Sequence, residues 1–297
     1  MKKSKYITGF LVVIVLLSCE KTINIKPVPY QSKLSVQCLI SPGEVPKVYF
    51  YRTVPYFDVK QLAADLFIRN AVIKLNSAAS NISFVVDSSY NIVKCDYDFY
   101  YRGSQAIQTA MTYTLNIQYA GDMLLAIATT NQRKPRIDSI GYTANFQDVY
   151  GGHEGVIVHF SDIPGIGDYY RYKMGRTIPD SITDAHGNLS ACSIGSPHYI
   201  IETGRTVYTD KNTDGSDMSF VFEPAFLHSS GQVAYIQLQS VDKNIYDFYD
   251  QLDRQKLAQF NPFVEPVFLK AGQFGSKAIG VFGAYINSDS VRFVYPE

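Results

Sequence analysis

The chain holds 297 residues, 46% hydrophobic and 18% charged, which is ample for a packed core and excludes a disordered or collagen-like polymer. Lys plus Arg and Asp plus Glu each number 27, so no net positive field exists to displace counterions from a nucleic-acid backbone, and nucleic acid is not an expected partner. The 23 Tyr and 18 Phe, with no Trp, suit half-buried pleated surfaces and lean the chain towards β structure.

At the amino terminus Met1 to Lys5 is basic and Ile7 to Leu17 is an apolar run, too short to span a bilayer and shaped like a secretory signal. The run ends in Leu16-Leu17-Ser18-Cys19, which resembles the bacterial lipobox. The resemblance implies a signal peptide over 1–18, diacylglycerol on the Cys19 thiol, cleavage before it and acylation of the new amino group, palmitate included. Several acyl chains, at about 0.8 kcal/mol per buried methylene, hold a protein stably at a membrane. An ordinary signal peptide with a chance cysteine is the alternative. Three cysteines remain, Cys38, Cys95 and Cys192, an odd number that permits at most one internal disulfide. Leu34, Val36, Cys38 and Ile40 alternate along one strand face, as do Val93, Cys95, Tyr97 and Phe99, so both thiols read as small core residues, with a Cys38–Cys95 bridge left open.

Residues 19–32 contain two prolines and no burial pattern and read as a tether. Strand-like runs follow at Leu34 to Ile40, Val48 to Arg52, Ala71 to Leu75, Ile82 to Val86, Ile92 to Tyr97, Thr112 to Tyr119 and Leu124 to Thr129, separated by Gly, Pro, Asn and Ser turns. This density fits an Ig-like β-sandwich over 33–132, and Val59 to Phe67 is open between a short helix and a loop. A charged, proline-containing break at Asn131 to Pro135 marks a domain boundary. A second sandwich-like, β-rich domain then covers 135–297, with strands expected at 137–143, 156–160, 169–174, 199–202, 219–223, 233–240, 278–286 and 291–295. Val241, Ile245, Phe248, Tyr249 and Leu252 recur at helical spacing and predict one amphipathic helix over 241–260, capped by Ser240 or Asp242 and stopped by Pro262.

No Gly-x-Ser-x-Gly elbow, Walker loop or dinucleotide fingerprint occurs, and His153-Glu154 with His159 lacks metalloprotease spacing. Asp96 and Asp98 stand two apart on a strand, where a wet strand face is the simpler reading than an acid–base pair. Asp210, Asn212 and Asp214 followed by Gly215 match the first half of a calcium loop, with oxygen ligands at alternate positions and Gly at the turn. The twelfth position is Val221 in place of the bidentate Glu, so a calcium ion and a plain polar turn are both open there. Tyr49, Tyr51, Tyr56 and Phe57 form an aromatic stretch beside a Pro turn and are a candidate contact surface, since Tyr supplies large area at little entropic cost; sheet-face packing is the alternative.

Several segments, in order along the chain, resemble the Bacteroidota outer-membrane lipoprotein family known as domain of unknown function 4249. They are the lipobox Cys19, Ser41-Pro42-Gly43-Glu44-Val45-Pro46-Lys47-Val48, Pro55-Tyr56-Phe57-Asp58, Asn70-Ala71-Val72, Pro135-Arg136-Ile137-Asp138-Ser139-Ile140, Asn261-Pro262-Phe263-Val264-Glu265-Pro266-Val267 and Ile279-Gly280-Val281-Phe282-Gly283-Ala284-Tyr285. The segment Phe274-Gly275-Ser276-Lys277 departs from the family pattern. The resemblance implies an outer-membrane lipoprotein associated with TonB-dependent receptors and carries no catalytic residues. The expected function is therefore a non-catalytic binding or accessory subunit of a TonB-dependent transporter, held at the outer membrane by its lipid anchor and needing no cofactor. The alternatives are a calcium-stiffened structural or adhesion module and a hydrolase with an unrecognised site.

Overall fold

A computed structural model describes residues 30–55, 62–91, 96–148, 151–165, 167–178, 181–183, 189–193, 198–203, 207–222, 228–260 and 267–296. Cys19, Tyr56, Phe57 and Cys95 lie outside the described residues. The fold is mainly β and sandwich-like. Its first half runs β1 (Leu34–Ile40), β2 (Lys47–Arg52), the short helix α1 (Ala63–Leu66), β3 (Val72–Asn76), β4 (Asn81–Asn91), β5 (Asp96–Gly103), β6 (Thr112–Tyr119) and β7 (Asp122–Thr129). The second half runs β8 (Ser139–Asp148), β9 (Gly151–Ser161), β10 (Tyr169–Ile178), β11 (Ser181–Thr183), β12 (Leu189–Ser193), β13 (His198–Thr203), β14 (Tyr208–Thr209), β15 (Asp217–Phe222), β16 (Val233–Val241), the helix α2 (Lys243–Phe260), β17 (Ala278–Asn287) and β18 (Val291–Val294).

Alternation decides which faces are buried. Val36, Cys38 and Ile40 of β1 point inward while Gln37 and Leu39 point out, and in β6 Tyr113, Leu115 and Ile117 are fully buried. Each such side chain contributes on the order of 1.5–3 kcal/mol. Strand β4 serves two partners: Asn81, Ile82 and Ser83 pair with β3, whereas Phe84 to Asn91 pair with β5. The sheet turns a corner there and folds back, so that Leu115, Ala126 and Ala128 share one core with Phe282 and Ala284 of β17. Side-chain amides of Asn244 and Gln273 both donate to the Ile127 carbonyl at 3.0 Å and tie β7 to the opposite end of the sandwich.

In the second half the sheet β15-β9-β8 packs Val156, Val158, Phe160 and Phe220 against Tyr170, Met174, Ile236 and Leu238 of β10 and β16. Residues 32–297 make one compact unit. The first core also takes in Phe274, Ala278, Phe282 and Ala284 from beyond the sequence break at 133–134, and the large sheet is continuous across it, in the order β13-β10-β16-β17-β1-β2-β5-β4-β3-β6-β7. The junction is β17, which lies parallel to β1 over its whole length, Leu34 opposite Ala278 through Ile40 opposite Ala284. Gly280 permits that approach. Its φ is +148°, and an added Cβ would stand 1.7 Å from the Val36 carbonyl oxygen.

Helix α2 lies on the outer face of this junction, with Ile245 and Tyr249 seated on Val241 and Val281. Asp242 is its cap: one carboxylate oxygen accepts from the Ile245 amide at 2.9 Å and the other from the Ala284 amide at 2.8 Å, so a single side chain stitches helix to strand. Gly283 is bare beneath it, since a Cβ would meet Ile245 Cγ1 at 2.4 Å and Asp242 Oδ1 at 2.6 Å. The strand expected over 92–97 is found at Asp96–Gly103: Tyr97 is half exposed, Phe99 packs on the first core, and Tyr100 and Tyr101 are buried. The Cys38 thiol is free and buried, and that burial pushes its pKa up.

Candidate functional site

The outer face of the junction carries a groove because the strands that pair there present polar residues on the side away from both cores. Its floor is Gln37 and Leu39 of β1, Tyr285 of β17, and the buried Arg171 and Gln239, which face each other across β10 and β16. Two chambers of about 310 and 160 Å³ share Gln37, Leu39 and Tyr285. The first is closed by Glu44, Lys47 and Tyr49, the second by Lys173 and by Tyr249 of α2. Tyr49 lies directly across from Gln37 in the β1–β2 register.

The groove is polar, and its order comes from side-chain pairing. Gln37 Nε2 donates to the Tyr249 hydroxyl at 3.2 Å, and the Arg171 guanidinium stacks 3.9 Å from the centre of the Tyr249 ring, a cation–π contact strengthened by burial. The Tyr285 hydroxyl donates to Glu44 at 2.8 Å. Lys47 Nζ sits 4.2 Å over the Tyr100 ring, which itself tilts against Tyr49 at 5.7 Å. Burial first, then Asp98 and neighbouring phenols, push Tyr49 up to about 12, and burial with Glu44 also raises Tyr285. Both phenols therefore remain protonated donors at neutral pH.

Of the expected contact surface, Tyr49 lines this groove. Tyr51 shares its face but packs against Phe67 at 5.4 Å and donates to the Phe99 carbonyl at 2.6 Å, so it is a packing residue. Arg171, Lys173, Gln239, Tyr249 and Tyr285 had no local signal. Arg171, Gln239 and Tyr249 are buried and Tyr249 belongs to the inner face of α2, so nothing local marks them as a site, and only strand order brings them together.

The Asp210 loop takes a different shape from the expected calcium half-loop. Asp210 groups with Asp162 and Asp168, each offering a carboxylate oxygen within 4.8 Å of the others. Asn212 and Asp214 point elsewhere: Asn212 is an exposed turn residue, and Asp214 accepts from the Gly165 amide at 2.7 Å. The loop 210–216 is thus docked on the loop 162–168. Asp162 accepts from the Tyr170 hydroxyl and from the Gly215 amide at 2.9 Å, and Asp210 accepts from the Gly167 amide at 2.9 Å. Asp168 is held by Arg133; burial, with Asp162 and Asp210, raises its pKa against the pull of that guanidinium. Three carboxylates are half of the six to eight oxygens that calcium requires, and Arg133 supplies the counter-charge. The Pro-Gly-Ile-Gly run before Asp168 marks a turn in the sequence, but nothing local pairs it with Asp210.

Elsewhere His159 is exposed on β9, as its place opposite Val158 and Phe160 requires. His228 Nε2 contacts Glu154 at 2.7 Å, and Glu154 also accepts from Tyr142. These two partners lower the Glu154 pKa, and the same contact raises Tyr142 to about 12. Asp98, one of the two strand carboxylates, accepts from Asn91 Nδ2 at 2.6 Å, while Asp96 accepts from the Tyr97 amide at 2.7 Å. Among the described residues no helix is long and apolar enough to cross a membrane.

A family model described as "Domain of unknown function (DUF4249)" matches residues 20–290. No curated protein matches the chain.

Proposed function

The chain belongs to the DUF4249 family, and on that premise we propose that it is a non-catalytic lipoprotein of the outer membrane, anchored through Cys19, that acts as a binding or accessory subunit of a TonB-dependent transporter. The observation that carries this reading is the groove across β10, β16, β17, β1 and β2. Its lining of amides, phenols and cations from five strands is binding equipment on a rigid sheet. The lipobox supplies the address. The test is gentle solubilisation of native membranes, purification through a tag after Glu297, identification of co-purifying proteins and weighing of the amino-terminal peptide. A stoichiometric barrel together with an acylated Cys19 is the expected result. A lipidated protein recovered alone overturns the accessory role, and an unmodified amino-terminal cysteine overturns the anchor.

A second reading, a calcium-stiffened structural or adhesion module of the envelope, is favoured by the convergence of Asp162, Asp168 and Asp210. It predicts a rise of several degrees in Tm on adding millimolar calcium that magnesium does not reproduce. Equal melting with and without calcium removes it.

A further inference from the structure

We infer that the groove is a site for an acidic oligosaccharide, a chain of hydroxylated rings carrying carboxylates; this rests on the binding role proposed above and names its ligand. The first argument is charge. Lys47 and Lys173 stand in the two chambers, and neither ammonium meets a carboxylate among the described residues. Arg171, two residues from Lys173 on β10, is buried and stacked on Tyr249, while the groove's own carboxylate, Glu44, is engaged by the Tyr285 hydroxyl. On a chain with equal numbers of acidic and basic residues, this local excess of cations selects an anion.

The second argument is shape and surface. From β10 to β2 the groove crosses four inter-strand steps of about 4.8 Å, roughly 19 Å in all, several times the width of one sugar ring, so an oligomer fits and a monomer leaves most of the groove empty. The half-buried Tyr49 ring, braced against Tyr100 at the β2 end, offers a flat face to the C–H face of a pyranose ring, and Tyr249, buried under Arg171, backs the other end. The Tyr49 hydroxyl and the Gln37 amide, opposite each other in register, match vicinal ring hydroxyls. Lys47 on β2 and Lys173 on β10, at the two ends of the track, complement a polymer whose charges recur along its length.

The test is calorimetric titration of the full lipid-free chain with three probes: a hexamer of galacturonate, the neutral glucose hexamer maltohexaose, and hexaglutamate. The acidic hexamer binds at least tenfold more tightly than either control, and its affinity falls as salt is raised from 50 to 500 mM, because exposed charge pairs are screened. Lys47→Gln with Lys173→Gln weakens it at least tenfold and flattens the salt dependence, with Tm unchanged; Tyr49→Ala weakens all saccharide binding irrespective of salt. Equal binding of maltohexaose or of hexaglutamate overturns the assignment, as does failure of the galacturonate hexamer to bind wild type. These outcomes do not depend on whether a barrel co-purifies from membranes, so loss of the ligand assignment and loss of the accessory role are distinguishable.

Discussion

The two halves of the chain bury different chemistry. From Leu34 to Thr129 no charged side chain is buried among the described residues, and the core is built from apolar strand faces closed by Phe67, Ile68 and Ile107. From Asp162 to Asp210 five charged side chains are buried among the described residues: Asp162, Arg171, Arg176, Glu202 and Asp210. Arg176 is fully enclosed, with Nε 2.8 Å and Nη2 3.2 Å from the two oxygens of Glu202 and Nη1 3.2 Å from Gln232. The first half is therefore held by non-directional burial, which tolerates volume-conserving change. The second half depends on particular partners, because a buried charge that loses its mate retains its full desolvation cost.

The largest expected effect breaks that pairing. Glu202→Ala strands the Arg176 guanidinium and costs about 3–5 kcal/mol, whereas replacing both by apolar residues of similar volume is neutral or stabilising; urea denaturation of single and double variants decides. A double variant as unstable as the single one would mean that packing, not charge, sets the fragility of the second half. Leu115→Ala, its counterpart in the first half, costs about 2–5 kcal/mol through transfer and cavity terms, and Leu115→Met costs under about 1.5 kcal/mol, a tolerance that Arg176→Lys should not share.

The junction provides intermediate effects. Gly283→Ala forces a methyl against Ile245 and Asp242 and costs about 1–3 kcal/mol by overpacking, measured as a drop in Tm with loss of helical ellipticity from α2. Asp242 adds a pH dependence. Burial raises its carboxyl from the ordinary 3.8 to about 6, against the opposing pull of the Ile245, Ala284 and Asn244 amides. A folded-state pKa raised above the unfolded one contributes stability that is fully present below pH 3.8 and lost as pH rises through about 6. The stability of wild type relative to Asp242→Asn therefore falls between pH 4 and pH 7, and a flat difference would contradict the assignment. The smallest effect is on the exposed face of α2, where Lys243 and Asp247 pair at 2.6 Å; Lys243→Ala changes stability by less than about 0.5 kcal/mol.

Much of the secondary structure was legible in the sequence. β1 and β6 fall on the expected residues, and α2 begins at Lys243, two residues inside the expected start, because Asp242 and not Ser240 is its cap. The paired hairpin strands β11 and β12 had no periodic signal, being three and five residues long. Of the groove, Tyr49 was legible as part of an aromatic stretch beside a Pro turn. Its companions were not, since a residue such as Gln239 or Tyr285 becomes part of a site only through the strand beside it.

The sequence by itself determined which faces are apolar, where the chain turns and where helix α2 lies, because those properties depend on neighbours two to four positions away. Tertiary structure alone decided that β17 inserts in parallel beside β1 and makes one sheet of two halves, that Asp210 meets Asp162 and Asp168, and that Arg176 meets Glu202. Those contacts join residues 26 to 244 positions apart along the chain, as in Arg176 with Glu202 and Val36 with Gly280, and no local period encodes them. Their physical cause is the need of buried polar groups and strand edges for partners, which only a closed fold can supply.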